Sequence, residues 1–198
     1  MGSSTGIGFV YGIGENAVFQ FDKIMDLLLL NNGAIDYLKY CRDTNGDEWV
    51  EKKVVTQVLS ENTLHQLVNN YYGQIKIKCD ILSKEDLIID IYFKKLDSKN
   101  YGMLLCISDE QLFESNVNER VDLVTESIVN LIRQIYDVSI FDYAFCDNEV
   151  MIEYSLDELQ SIRNPVYSIL ALPNEEDKTK LQILKSDWNI DGLTPRTN

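Results

Sequence analysis

The sequence predicts one α+β domain over residues 1–198, in which helices cover a mainly antiparallel sheet made of a meander and a hairpin. Three segments between Gly73 and Ser108 alternate apolar and polar residues, as strands with one buried face do. Two longer segments repeat apolar residues with the period of a helix. Because short polar turns join most of the predicted strands, an antiparallel sheet is favoured over a parallel one. Two longer helices and one or two short ones complete the fold, and residues 109–115 are where the domain would divide.

The first predicted elements are a short buried strand over residues 7–11 and a helix over residues 15–31. One face of the helix is apolar, and Glu15 suits the positive end of its dipole. Asn32 and Gly33 then supply a C-terminal stop, because both residue types adopt the left-handed conformation that ends many helices.

A hairpin and a short helix are predicted next. Residues 34–41 and 49–59 are rich in β-branched and aromatic residues, and residues 45–46 (Asn-Gly) between them are a strong turn signal. The helix covers residues 60–72. Its N-terminal cap is Ser60, a residue type that is favoured at this position.

Charge pairing selects one register for the first hairpin of the meander. Opposing Ile81 and Leu87 keeps the apolar side chains on one face and sets Lys78 across from Asp90. Sliding the strands by two residues would instead set Asp80 against Asp90, which is a repulsive pair. We therefore expect the register in which Ile81 faces Leu87.

The longest predicted helix covers residues 117–137 and lies on the apolar face of the meander. Apolar residues recur on one side at the helical period, and polar residues occupy the other side. Asn116 and Glu119 have the spacing of a capping box at its start. The apolar residues are Val121, Val124, Ile128, Leu131, Ile132 and Ile135.

The last third of the chain predicts a second hairpin. Residues 140–146 and 149–154 would pair around a tight turn at residues 147–148, which aligns Phe145 with Val150. The remaining predicted elements are a short helix over residues 155–162 and strands over residues 167–172 and 181–188.

The net charge of −14 is unevenly distributed along the chain. Residues 109–163 hold thirteen Asp and Glu against three Arg and no Lys, which gives −10. Nucleic acid is excluded as a ligand, because phosphate binding needs clustered Lys and Arg. The asymmetry is expected of a surface that attracts a basic protein partner and, equally, of a face that only keeps the protein in solution.

The four cysteines, Cys41, Cys79, Cys106 and Cys146, lack the spacing of a metal site, and three of them lie in apolar, strand-like runs. We expect reduced, buried thiols, which are typical of a cytoplasmic protein. The N-terminus shows neither the basic nor the apolar segment of a signal peptide, and no apolar run is long enough to span a bilayer. A cytoplasmic location without a membrane partner is therefore predicted.

One short motif suggests a nucleotide site. Residues 12–17 (Gly-Ile-Gly-Glu-Asn-Ala) follow a predicted strand, open a predicted helix and fit the G-x-G-x-x-A variant of the dinucleotide fingerprint. Hairpins rather than parallel strand–helix–strand units come next, and Glu15 would place a negative charge against a pyrophosphate. We interpret the motif as a glycine turn, with a small nucleotide-binding protein or enzyme that uses Gly12–Ala17 as the alternative function.

No cofactor, metal ion or catalytic residue is predicted elsewhere. Residues 43–47 (Asp-Thr-Asn-Gly-Asp) are similar to the start of a calcium loop, but the glycine stands at the fourth position and Val54 at the twelfth, so we expect a hairpin turn. His65 is the single histidine and is expected to be a partly buried structural residue of a short helix. A Ser–His or Cys–His site with partners distant in sequence stays open.

Four stretches carry a resemblance: residues 140–150 (IFDYAFCDNEV), 167–173 (YSILALP), 186–193 (SDWNIDGL) and, in character, 7–12 (IGFVYG). They resemble bacterial immunity proteins of polymorphic toxin systems, most closely the family called immunity protein 64. The resemblance implies a non-enzymatic inhibitor in the bacterial cytoplasm that binds a cognate protein toxin. It carries over no functional residues.

Charge placement suggests where such a partner would bind. Many toxin domains that attack nucleic acid must themselves be basic, and an acidic protein would reach them quickly through electrostatic steering. The candidate contact set consists of acidic residues on and just after the predicted second hairpin: Asp142, Asp147, Glu149, Glu153, Asp157 and Glu158.

Overall fold

One antiparallel sheet runs through the computed structural model, which describes residues 3–12, 16–43, 45–53, 59–70, 72–97, 99–113 and 118–196. Its nine described strands are β1 (Ser4–Tyr11), β2 (Ala34–Cys41), β3 (Trp49–Lys53), β4 (Tyr72–Ile81), β5 (Lys84–Lys95), β6 (Tyr101–Ser108), β7 (Tyr143–Asn148), β8 (Ile169–Pro173) and β9 (Leu181–Lys185). The described helices are α1 (Ala17–Leu30), α2 (Glu61–Asn69), α3 (Asp109–Leu112), α4 (Asn118–Val138) and α5 (Leu156–Ser161). Across the sheet the strand order is β3-β2-β4-β5-β6-β1-β7-β8-β9, and every neighbouring pair is antiparallel. The predicted α+β class, with its meander of β4, β5 and β6, is confirmed.

Local signals in the sequence set the ends of several elements. Ser60 caps α2, as predicted, because its hydroxyl accepts a hydrogen bond from the backbone N–H three residues on. Asn16 caps α1 in the same way, and Asn32 follows that helix in the left-handed region with φ 54°. Gly46, with φ 80°, lies in the turn of the β2–β3 hairpin. Residues 54–58 of the predicted second strand and Asn116 of the predicted capping box lie outside the described residues.

The predicted register of the β4–β5 hairpin is wrong by two residues. Leu87 lies opposite Cys79 rather than Ile81, and Asp90 lies opposite Lys76, with 3.8 Å between the Lys76 Nζ and the carboxylate. The turn decides the register, since only residues 82–83 separate Ile81 from its partner Lys84. Both turn residues have positive φ, 56° and 58°, as the favoured two-residue hairpin turns require. The sequence lacks the usual Asn-Gly signal at this turn. The predicted register therefore rests on charge pairing alone, which favours the wrong pairing of residues.

The predicted second hairpin is also wrong. Strand β7 pairs with β1 on one side and with β8 on the other, so no edge is left for residues 149–154. Glu149 turns the chain out of the sheet with φ 47°. Residues 149–155, which we call the strap, then cross one face of the sheet, where the Ile152 carbonyl accepts a hydrogen bond of 2.7 Å from Lys94 Nζ. The Tyr154 carbonyl accepts one of 2.6 Å from the Tyr143 hydroxyl.

Helices α1, α2 and α4 pack on the other face of the sheet. All six predicted apolar residues of α4 are buried there against the apolar face of the meander, as expected. A buried hydrogen-bond chain joins the elements: the Tyr11 and Ser139 hydroxyls lie 2.8 Å apart, and the Ser139 hydroxyl donates to Gln20 Oε1 at 2.9 Å. This chain links β1 to α1 and to the residue that follows α4.

Glycines in the central strands make room for the strap. A methyl group on Gly8 would lie 2.1 Å from the ring of Phe145, which covers Gly8 from the neighbouring strand. On the same face, a methyl group on Gly6 would meet Val150 at 2.7 Å, and one on Gly102 would meet Ile152 at 2.7 Å. The strap and the side chain of Phe145 therefore occupy the space that side chains of β1 and β6 would otherwise fill.

Replacing Gly8 with alanine should destabilise the fold by about 1–3 kcal/mol, because the overpacked Phe145 ring has no room to retreat. That ring is stacked on Tyr167 at a centroid distance of 4.2 Å. Urea denaturation of the Gly8→Ala variant measures the loss in the free energy of unfolding. The control is Gly46→Asn, since nothing lies within 4 Å of a side chain at Gly46 and asparagine tolerates positive φ. Equal stability of the two variants would contradict this role of Gly8.

Candidate functional site

The described residues contain no group of three or more His, Cys, Asp or Glu side chains that could hold a metal ion. His65 is exposed on α2, with its Nδ1 3.4 Å from the side-chain nitrogen of Asn69, so the prediction that it is partly buried is wrong. Leu64 and Leu67 face the core, and the helical periodicity places His65 on the side of α2 that faces solvent. Within the described part of the chain, no helix is both long and apolar enough to cross a membrane.

All four cysteines are free thiols, as predicted. Three are buried and Cys106 is half-buried. Burial raises the pKa of Cys79 and of Cys106 to about 12, and it raises the pKa of Cys146 as well. These thiols therefore stay protonated at neutral pH and are poor nucleophiles.

The glycine motif lies in a setting unlike that of a dinucleotide site. Its strand, β1, is antiparallel to both neighbours, β6 and β7, whereas the fingerprint works in a parallel sheet. A side chain at Gly12 would meet the carboxylate of Asp142 at 2.3 Å, so a negative charge lies beside the turn. Residues 13–15 lie outside the described residues.

Residues 43–47 form the turn of the β2–β3 hairpin, as predicted, although Thr44 lies outside the described residues. The Asp43 carboxylate accepts hydrogen bonds from the backbone N–H groups of Asn45, Asp47 and Glu48 at 2.8–3.1 Å. These bonds lower the pKa of Asp43, the one from Glu48 most strongly. The carboxylate that a calcium loop would offer to the ion is thus used to shape the turn.

The six acidic residues of the predicted contact set occupy different environments. Asp142 and Asp147 lie at opposite ends of β7. Five residues of extended chain separate them, which corresponds to about 17 Å. Asp147 is half-buried and points inward: its Oδ2 accepts hydrogen bonds from the Ser168 N–H at 3.0 Å and from Trp188 Nε1 at 3.3 Å. Burial raises the pKa of Asp147, and these hydrogen bonds oppose that effect.

The other four acidic residues are exposed. Glu149 and Glu153 lie on the strap, and Asp157 and Glu158 lie in the first turn of α5. Glu158 also forms a capping box with Ser155, whose backbone N–H and hydroxyl both donate to it, and these bonds lower its pKa. The strap and α5 therefore present carboxylates to solvent on the face of the sheet opposite the long helices.

The stretches that carry the resemblance meet in one structural unit. Strands β7 and β8 are neighbours, and Trp188 from the last stretch reaches Asp147 at the end of β7. Arg196 ties this unit together, because its guanidinium donates to the backbone carbonyls of Ser168, Ser186 and Trp188 at 3.0–3.3 Å. These hydrogen bonds hold β7, β8 and the C-terminal segment together.

A row of aromatic side chains crosses the sheet beside the strap, on the face that we call the open face: the side of β3, β2, β4 and β5 opposite the long helices. Trp49 meets Tyr72 edge-on at a centroid distance of 5.4 Å, and Tyr72 meets Tyr92 at 5.9 Å. Trp49 is 47% exposed, and the two tyrosines are half-buried. Partial burial raises the pKa of Tyr92 to about 12, so its phenol stays neutral.

The aromatic row ends in a groove of about 540 Å³ between the open face and the strap. The sheet contributes Tyr72, Tyr92, Phe93, Lys94, Lys95, Leu104 and Cys106 to its lining, and the strap contributes Val150, Met151 and Ile152. No carboxylate is among these residues. The groove combines an apolar interior with the Lys94 ammonium group at its border, a combination that is common in protein-binding surfaces.

The sequence analysis did not identify this groove. Its aromatic residues lie on the polar side of the alternating strands, where the prediction of the register relies on charged residues alone. Tyr72, Tyr92 and Trp49 at those positions are the signal that would have marked a partly covered face. The strap alternates apolar and polar residues, and this pattern predicts a strand there.

A family model described as immunity protein 64 matches residues 1–196. No curated protein gives a match. Among solved structures, the chain is similar to a chain described as "Pseudomonas aeruginosa T6SS protein PA0821", with a TM-score of 0.37 and 8% sequence identity. That alignment covers 74% of this chain and 41% of the other, so the chain spans less than half the length of the protein it matches.

Replacing Asp147 with alanine should lower the free energy of unfolding by about 1–3 kcal/mol, because the Ser168 backbone N–H and the Trp188 indole N–H would lose their acceptor inside the fold. The matched control is Glu153→Ala on the strap, where an exposed carboxylate is removed and the change should stay within about 0.5 kcal/mol. Urea denaturation of both variants gives the comparison. A loss for Glu153→Ala as large as that for Asp147→Ala would show that the buried hydrogen bonds are not what distinguishes the two sites.

Proposed function

The chain belongs to the immunity protein 64 family, and we propose that it protects a bacterial cell by binding a cognate protein toxin without catalysing a reaction itself. The observation that carries this proposal is the family match, which spans residues 1–196. The chemistry of the described residues supports it, because the thiols stay protonated and the single histidine is solvent-exposed on a short helix. Neutralisation would then follow from covering the surface that the toxin uses.

The acidic strap is the proposed contact with a basic toxin. Glu149, Glu153, Asp157 and Glu158 are exposed on one face of the sheet, in the part of the chain that carries most of the negative charge. A toxin that attacks nucleic acid needs positive charge to hold phosphates, and an acidic inhibitor meets such a protein faster than a neutral one does. Asp142 and Asp147 stay in the predicted set, but the hydrogen bonds of Asp147 direct its carboxylate into the fold.

The cytoplasm is the proposed site of action. Four free cysteines without a disulfide suit a reducing compartment. We propose that the protein acts there without a cofactor and as one domain, and that it binds neither nucleic acid nor a membrane. The alternative of a nucleotide-binding protein gains nothing from the fold, since β1 lies between antiparallel strands.

The direct test uses the toxin domain encoded next to the gene for this chain. Expression of that domain alone should stop growth of a bacterial host, and co-expression of this chain should restore it. The purified chain should also bind the purified domain, carrying an inactivated catalytic site, in isothermal titration calorimetry. If the chain neither restores growth nor binds the domain, the proposal is wrong.

Reversing the charge on the strap should slow association with the toxin. The double variant Glu149→Lys with Glu153→Lys is expected to lower the association rate constant by about tenfold at low ionic strength, with a much smaller effect at 0.5 M salt, because screening removes steering. Stopped-flow fluorescence measures the rate.

The matched control for charge reversal is Glu175→Lys with Glu176→Lys. This pair changes the net charge equally, on an exposed loop between β8 and β9. Equal slowing by both double variants would show that only the total charge matters and that the strap is not the contact.

A further inference from the structure

The groove beside the strap is open and largely apolar. Its floor consists of partly buried tyrosines and the side chains of Leu104 and Cys106, and its wall is the strap. Met151, at the rim, leaves 61% of its surface in solvent. A flexible thioether at the border of an apolar cleft is typical of surfaces that accommodate a partner's side chain. The exposure of its rim makes it a docking surface rather than an enclosed site for a small ligand.

Lys94 gives the groove a charge opposite to that of the chain. It is exposed and donates a hydrogen bond to the Ile152 carbonyl, whereas Lys95, opposite Tyr101, lies on the helix side of β5. The ion pairs found among the described residues involve Lys76, Lys78, Lys180 and Lys185, and Lys94 takes part in none of them. The groove therefore carries a positive charge that no ion pair within the described residues neutralises, although the chain as a whole has a net charge of −14. A carboxylate of another molecule would be complementary to this charge.

The same charges disfavour a second copy of this chain as the occupant. Two copies, each with a net charge of −14, repel each other, and the strap would bring Glu149 and Glu153 of one copy close to the acidic surface of the other. A basic protein that carries one acidic residue in its contact loop would be repelled neither by the net charge of this chain nor by the acidic strap. The acidic strap would face its basic surface, and Lys94 would face its carboxylate.

We infer that the groove between the strap and the open face receives a loop of the toxin, which inserts an aliphatic or aromatic side chain flanked by a carboxylate. This inference rests on the proposed function and specifies its central contact. The inserted side chain packs between Tyr92 and Met151, and the flanking carboxylate pairs with Lys94. An apolar centre surrounded by charged residues is the usual arrangement of a protein–protein interface.

The test compares two variants that place the same negative charge at exposed apolar residues on opposite sides of the sheet. Met151→Asp changes the groove, whereas Leu123→Asp changes the solvent side of α4, where Leu123 is 68% exposed. We expect Met151→Asp to weaken binding of the inactivated toxin domain at least about 30-fold, as loss of a central contact does, and Leu123→Asp to change it less than threefold. Isothermal titration calorimetry gives both dissociation constants, and urea denaturation verifies that both variants are folded.

A second pair of variants tests the carboxylate contact. Lys94→Gln should weaken binding about tenfold, whereas Lys95→Gln removes the same charge from the helix side of β5 and should have little effect.

The outcomes separate this inference from the proposed function. If the unmodified chain binds the toxin domain and Met151→Asp binds it equally well, the groove is not the contact and the proposed function stands. If Met151→Asp instead converts a dimer of this chain to a monomer in sedimentation analysis and leaves toxin binding unchanged, the groove joins two copies and the inference is wrong. If the unmodified chain does not bind, both proposals fail.

Discussion

The close approach of the strap to glycines in the middle of the sheet is the constraint on which the rest of the structure depends. Strands β1 and β6 lie near the centre of the strand order, and their glycines leave the sheet without side chains where the strap crosses it. Phe145 and Ile152 fill that space, and an aromatic ring over a strand glycine restores the packing that the glycine lacks. With side chains at Gly6 and Gly102, the strap would stand away from the sheet, and the groove wall would move with it.

Periodicity and turn signals were sufficient to predict most of the fold. The helices α1 and α4, the meander and the β2–β3 hairpin follow from the spacing of apolar residues and from short-range caps, because each depends on neighbours in the chain. The strap was misassigned because Val150 and Ile152 point into the fold while Met151 and Glu153 point to solvent. An extended segment that crosses a sheet has the same alternation as a strand within it. Gly6 and Gly8, two residues apart on β1, were the sequence signal for a covering segment.

The candidate site was less predictable, because a sequence does not show whether a charged side chain points into the fold or toward solvent. Asp147 and Glu149 are two residues apart, but one carboxylate accepts hydrogen bonds inside the fold and the other is exposed. The difference is made by Ser168 and Trp188, which are distant in the chain and reach Asp147 only after β7 and β8 have paired. The groove likewise forms between strands and a strap that are far apart in sequence. Local patterns could therefore mark its residues as partly exposed but could not show that they meet in one groove.

The two parts of the proposed interface have different physical tasks. Exposed carboxylates on the strap act over a distance of about a Debye length and therefore change how often the two proteins meet. The apolar groove acts only in contact and therefore changes how long they stay together. An inhibitor that does not consume its target must both meet it before damage accumulates and remain bound, since each release restores an active toxin. In the proposed interface the strap would serve both tasks, because its outer side carries Glu149 and Glu153 while Val150, Met151 and Ile152 form the groove wall. Its close packing on Gly6 and Gly102 would then couple fast encounter to slow release.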